Sequence, residues 1–200
     1  DRSTRELDNH FMHEKIGKTQ FESILEIGCG NGEMLKQYPM KSALGVDINP
    51  SMVEYAKSQG NNVILEDITQ TQSEFSRQNQ QKLNIICANY VFTELKQNQL
   101  KKAFENISNL LSQKGKFYFT ITNPTIRSRN DLPDYKVVFE KEFNYQKEDI
   151  PFTVLLEDKL SGEFVDVGIR DFHNPTEVYT TMLEKYFSKI KIHEIKRERE

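Results

Sequence analysis

An α/β fold, Rossmann-like and doubly wound, is what three features of this sequence predict. It should hold a mostly parallel sheet of about six to seven strands and an antiparallel insertion. First, short and almost continuously apolar runs alternate with helical patterns from residue 23 to about residue 122, the signature of βαβ units whose strands are covered on both faces. Second, the first of these runs, Ile24-Leu25-Glu26-Ile27, enters a loop with glycine at every second position, Gly28-Cys29-Gly30-Asn31-Gly32. Third, the pattern changes after Pro124 to weak alternation, as in antiparallel strands.

The elements follow in order. Thr4–Lys18 reads as an N-terminal helix. Strands are expected at Ile24–Ile27, Ala43–Val46, Asn62–Leu65, Leu83–Ala88 and Lys116–Thr122. Helices are expected at Glu33–Tyr38, Ser51–Gln59 and Gln97–Ser112. In the last, Leu100, Phe104, Ile107 and Leu111 recur at helical spacing and form one apolar stripe for the sheet. Gly115 then turns the chain into the next strand. The polar, Gln-rich stretch from Gln70 to Lys82 reads as a solvated helix and loop anchored by Phe75. Beyond a polar loop at residues 125–134, Pro151–Glu157 and Gly162–Phe172 form a hairpin turning at Ser161-Gly162. A helix from Pro175 to Phe187 and a strand Ile190–Ile195 complete the pattern.

Two hundred residues suit one domain, 1–200, with a core at 19–124, an insertion at 125–172 and a terminal helix and strand at 173–200. A net charge of −3 provides no general field for nucleic acid or an anionic membrane. No apolar run approaches the length of a membrane span. The first residues lack the apolar stretch of a signal peptide, and a start without Met leads us to expect preceding residues. Cys29 and Cys87 are both expected at buried strand ends as free thiols, which suits a reducing, cytoplasmic setting. Cys29 reads as a small packing residue rather than a nucleophile, because no basic partner stands near it in sequence.

The glycine loop is where a ligand can lie against the main chain, at the carboxyl end of a strand. A dinucleotide fingerprint would place a third glycine at position 33. Glu33 stands there instead, and its carboxylate would repel a pyrophosphate. Asp47 ends the second strand, where a carboxylate can accept both hydroxyls of a ribose; the alternative is a cap for the helix that Pro50 starts, a task Asn49 or Ser51 can also perform. Asp67 follows the third strand and can accept from an adenine amine, with Ile48 and Ile68 on either side of the base. A solvated loop acid is the alternative. The fourth strand delivers Asn89 and Tyr90 to the crevice.

Glu26-x-Gly28-x-Gly30-x-Gly32, Asp47, Asp67-Ile68, the Asn89 strand end and Leu110-Leu111-Ser112-Gln113-Lys114-Gly115 stand in an order that resembles the class I S-adenosylmethionine-dependent methyltransferases over residues 23–122. That resemblance implies S-adenosyl-L-methionine as cofactor and S-adenosyl-L-homocysteine as product. It implies that Glu26, Gly28, Cys29, Gly30 and Gly32 line the methionine and ribose. Asp47 would take the ribose hydroxyls, Ile48, Asp67 and Ile68 the adenine, and Asn89 and Tyr90 the surroundings of the methionyl amine. The insertion would cover the acceptor.

Methyl transfer is an in-line displacement needing alignment and, for a protonated acceptor, a base. His173, at the end of the hairpin, is the first candidate base, with packing at the hairpin–helix junction as its alternative. Tyr90 is the second, with pocket shaping as its alternative. His10 and His13 have helical spacing but no further metal-ligand pattern, so no metal is expected. Arg127 and Arg129 can bind an anionic group of the acceptor or remain solvated. The acceptor expected is a small molecule methylated at oxygen or nitrogen, with no nucleic acid and no membrane involved. Transfer to tRNA, rRNA or protein, and a non-catalytic cofactor-binding partner subunit, are the alternatives. The sequence leaves the oligomeric state open.

Overall fold

The computed structural model describes residues 2–19, 21–39, 42–70, 73–126, 135–158 and 160–195. The chain divides into two compact units, one of residues 2–91 and 99–120 and the other of residues 92–98 and 121–200.

In the first unit, α1 (Arg2–Gly17) precedes a five-stranded parallel sheet of β1 (Ile24–Ile27), β2 (Ala43–Asp47), β3 (Val63–Leu65), β4 (Leu83–Asn89) and β5 (Leu111–Thr120). The strand order is β3-β2-β1-β4-β5, so the winding reverses between β1 and β4. At that reversal the loops leave in opposite directions and open a crevice at the carboxyl ends. β1 is buried at all four positions, as its unbroken apolar run requires. The helices are α2 (Pro50–Ser58), α3 (Glu74–Gln78) and α4 (Gln97–Leu110). Asn49 caps α2, its side chain accepting from the Ser51 and Met52 amides at 3.0 and 3.4 Å. Phe75 anchors α3, and Ser73 caps it. Leu100, Phe104 and Ile107 are buried on α4, with Phe104 against the stacked pair Phe117 and Phe119. Each such side chain contributes roughly 1.5–3 kcal/mol by leaving water.

Several elements differ from expectation. The helix expected over Glu33–Tyr38 is a single 3-10 turn at Leu35–Gln37. Gly32 enters it with φ +75°, and Pro39 holds Tyr38 extended, so too few residues remain to nucleate an α-helix. α4 ends at Leu110, and β5 begins directly at Leu111; its register against β4 jumps from Leu83–Leu111 to Ile85–Lys116, and Gly115 lies in that irregularity. The parallel sheet has five strands among the described residues, fewer than the six to seven expected. The missing one is Ile190–Ile195, which forms no strand: a lone alternating run holds strand geometry only against a partner, and no described strand pairs with it.

The second unit contains an antiparallel sheet ordered β6 (Tyr135–Phe139), β7 (Ile150–Glu157) and β8 (Phe164–His173), followed by α5 (Thr176–Leu183), which stops short of the expected Phe187. The hairpin turns at Ser161-Gly162, where Gly162 has φ +71° and its amide donates to the Asp158 carbonyl at 2.7 Å. β8 carries a bulge: Val154 opposes Ile169 while Leu155 opposes Asp166, and Gly168 takes up the extra length at φ +83°. Asn174 is fully buried and accepts from the Asp149 amide at 3.0 Å and from Gln97 Nε2 at 3.4 Å. Among the described residues no helix is long and apolar enough to cross a membrane.

Buried polar residues also fix the first unit. Asn106 on α4 donates to the carbonyls of Ile68 at 2.7 Å and Gln70 at 2.9 Å, holding the loop after β3. Asn106→Ala should strand two carbonyls and cost about 1–3 kcal/mol in urea-induced unfolding; an unchanged midpoint would show that the loop does not depend on this side chain.

Candidate functional site

Strand register sets the site. Glu26 on β1 lies opposite Gly45 of β2 and Cys87 of β4. Side chains alternate along strands, so two residues further on Asp47 and Asn89 share that face at the carboxyl ends of β2 and β4, and Gly28 leaves the end of β1 between them. Glu26 lies one step beneath these two polar side chains.

The glycine loop is left-handed at all three glycines, with φ of +65°, +51° and +75° at Gly28, Gly30 and Gly32. A Cβ at Gly28 would come 2.4 Å from Val91 Cγ2, whereas one at Gly30 would meet nothing within 4 Å. The Gly28 and Cys29 amides both donate to the Val46 carbonyl, at 2.8 and 3.1 Å. The Gly30 amide donates to Asp47 Oδ2 at 2.8 Å, and the Asn49 amide to Asp47 Oδ1 at the same distance. Asp47 therefore ties its own turn to the glycine loop. Each of its oxygens retains a further lone pair.

Glu26 is 5% exposed, and its Oε2 has no hydrogen-bond partner among the described residues. Burial, with the neighbouring negative charge of Asp47 adding to it, pushes its carboxyl up to about 8. Cys29 is buried against Gly45, whose Cβ, if present, would meet Cys29 Sγ at 2.7 Å. Burial, then Glu26 and Asp47, push its thiol up to about 12, so it stays a neutral packing group. Cys87 is also a free, buried thiol.

The other expected residues are distributed as follows. Asp67 forms a turn of its own, Oδ1 accepting from the Thr69 amide at 2.9 Å and hydroxyl at 2.7 Å, and Oδ2 from Gln70 Nε2 at 3.1 Å. Burial pulls its carboxyl upward, but these hydrogen bonds outweigh it and leave the group below its ordinary value. Ile48 is 68% exposed at the end of β2, while Ile68 is 7% exposed and belongs to the core. Only Ile48 offers an open apolar face. Asn89 Nδ2 donates to Asn9 Oδ1 at 2.9 Å, and Asn89 Oδ1 accepts from the Thr120 hydroxyl at 2.9 Å, so this strand end is held from α1 and β5 together. Tyr90 follows with φ +58°, unusual for a residue with a Cβ.

His173 belongs to the second unit and is fully buried. Its Nε2 donates to the Tyr145 carbonyl at 2.9 Å, and the rings of Phe139, Phe143 and Tyr145 surround it edge-on. That is the geometry of the junction-packing alternative. Arg127 and Arg129 lie outside the described residues. Among the described residues, no group of three or more His, Cys, Asp or Glu side chains is placed to hold a metal ion.

Sequence reasoning missed two contributors. Asn9, on the N-terminal helix, to which no part in the site was assigned, anchors Asn89. His13 and Tyr38 form a half-buried pair, Tyr38 Oη to His13 Nδ1 at 2.6 Å. Burial, and after it the charge of His10, lower the His13 pKa. Neither contact has a local sequence signal, because each joins segments far apart in the chain.

A family described as a methyltransferase domain matches residues 8–149. The malonyl-[acyl-carrier protein] O-methyltransferase 1 of Ilyobacter polytropus is 31% identical over 55% of this chain and 40% of its own length. This chain thus spans well under half of that relative. Among solved structures, the PH0226 protein of Pyrococcus horikoshii OT3 superposes with a TM-score of 0.66 at 18% identity, covering 93% of this chain and 81% of its own. An S-adenosylmethionine-dependent methyltransferase of Clostridium acetobutylicum ATCC 824 gives 0.59 at 18% identity, covering 89% and 77%. These two share the fold. The family match spans most of the first unit and its glycine loop, and the chain belongs to the methyltransferase domain family within the class I S-adenosylmethionine-dependent methyltransferases.

Proposed function

We propose that this protein transfers the methyl group of S-adenosyl-L-methionine to an oxygen or nitrogen of a small-molecule acceptor. The observation that carries the reading is the pair Asp47 and Asn89 above a buried Glu26 oxygen that has no hydrogen-bond partner among the described residues, at the point where the sheet reverses its winding. These residues fit the cofactor. The open space at Gly30 admits a ligand against the backbone, the remaining lone pairs of Asp47 suit a ribose diol, and the lone Glu26 oxygen suits a cationic methionyl end. In this reading Glu26, Gly28, Cys29, Gly30 and Gly32 hold the methionine and ribose, Ile48, Asp67 and Ile68 the adenine side, and Asn89 and Tyr90 the methionyl amine.

When bound, the cofactor supplies a methyl group already activated by its sulfonium. The chain's own part is to orient the two reactants and keep the nucleophile's path clear. The burial of His173, and the engagement of its Nε2 with a carbonyl, support a packing role for it; no base is then assigned. A small acceptor is supported by the net charge of −3, which offers no general field for nucleic acid, and by the aromatic residues Phe139, Phe143 and Phe152 of the second unit.

Calorimetry should show S-adenosyl-L-homocysteine binding and NAD not; preference for NAD would overturn the cofactor reading. Gly30→Ala places a methyl group where the ligand would lie, at a left-handed position that costs about 1–2 kcal/mol. We expect cofactor affinity to fall tenfold or more, with only that small change in stability. Labelled methyl from the donor should enter the small-molecule fraction of an extract; label in RNA or protein would replace the proposed acceptor class, and tight binding without any transfer would point to a non-catalytic partner subunit. His173→Ala should lower stability by about 2–4 kcal/mol through lost packing and one stranded carbonyl, and leave the pH profile of transfer unchanged. Loss of one limb of that profile would restore His173 as a base.

A further inference from the structure

We propose that cofactor binding is coupled to release of the Glu26 proton: the free protein holds this carboxyl neutral, and the cationic methionyl end of the donor converts it to carboxylate. The inference rests on the cofactor reading above and goes beyond it in assigning Glu26 a titration that binding drives.

The geometry carries the argument. Oε2 of Glu26 is enclosed and has no donor of its own among the described residues. Register places Gly45, with no side chain, on one side and Cys87 on the other. Asp47, from the end of β2, acts on Glu26 electrostatically, and Glu26 in turn acts on Cys29 of the glycine loop, Cys87 of β4 and Tyr38 beyond the 3-10 turn. Each is an acid or a neutral proton carrier, and none is a cation. Tyr38 is itself bonded to His13 of α1, whose pKa is lowered by burial and by His10. The nearest fixed charge, on Asp47, opposes ionisation. An isolated carboxylate in such a place is costly unless a positive partner arrives. The loop that follows β1 is open at Gly30, where an added Cβ would meet nothing within 4 Å.

The sign follows from linkage. In the free fold Glu26 titrates near 8, against an ordinary value of 4.5. Stability from its neutral form is complete below 4.5 and declines as pH rises through 8. A ligand that favours the carboxylate therefore binds more tightly as pH rises, until the free protein has also lost the proton. At pH 7 the free group holds about nine-tenths of a proton, which passes to the buffer when the cation binds.

Isothermal titration calorimetry of the unsubstituted protein with S-adenosyl-L-methionine, at pH 7 in buffers of different ionisation enthalpy, counts that proton. We expect release of close to one per cofactor, and a dissociation constant that falls about tenfold from pH 6 to pH 7 and levels off above 8. Glu26→Gln should bind at least tenfold more weakly and release close to none. 5′-Deoxy-5′-methylthioadenosine, which has neither sulfonium nor amino-acid tail, should bind the unsubstituted protein without release. This comparison decides the matter even if the substituted chain does not fold. Binding of the donor without proton exchange, or release that persists in Glu26→Gln, would overturn the coupling and leave the cofactor assignment standing. Failure of both the donor and S-adenosyl-L-homocysteine to bind would overturn that assignment, and the coupling with it.

Discussion

The hydrogen bond from the Gly30 amide to the Asp47 carboxylate is the constraint on which the site depends. It joins the loop leaving β1 to the end of β2, two strands that already share a parallel ladder. The loop can then take its left-handed course without collapsing into the crevice. A charge-assisted bond of this kind is about twice as strong as a neutral one. The Val46 carbonyl, accepting the Gly28 and Cys29 amides, provides the neutral counterpart one residue earlier. Together they make the backbone of the loop a fixed surface.

That surface is held from further out by polar side chains that do not belong to any recognisable motif. Asn106 reaches from α4 to the loop after β3, and Asn89 is gripped by Asn9 and Thr120. Asn106 gives both its bonds to backbone carbonyls, and Asn89 donates and accepts at once, which suits amides to positions where strands end and backbone groups lose their ladder partners. The site is thus preorganised by its supports as much as by the residues that would face a ligand.

The parallel core was legible in the sequence because its strands are covered on both faces and leave unbroken apolar runs; Ile24–Ile27 was read to the residue. Asn49 at the head of α2 and the Ser161-Gly162 turn were legible for the same reason, since cap and turn chemistry is local. Glu33–Tyr38 and Ile190–Ile195 were misread because short patterns reach helix or strand only with support from the rest of the fold. At the site, the glycine spacing and Asp47 announced themselves. The isolation of Glu26 did not, because it arises from Gly45 and Cys87, brought beside it by register. The role of Asp47 as a brace within the protein was likewise hidden, since the sequence suggested only that it faces outward to a ribose or caps a helix.

The irregularities of the two sheets have a further consequence for self-association. An open strand edge invites pairing with another chain. In the parallel sheet one edge, β3, is only three residues long although it presents an exposed Leu65, and the other, β5, is broken in register beside Gly115. In the antiparallel sheet the long edge strand β8 bends at Gly168, where the Asp166–Arg170 ion pair adds charge. Three of the four described edges are therefore short or interrupted, and the same departures from regular pairing that made the sequence harder to read give this chain protection against edge-to-edge aggregation.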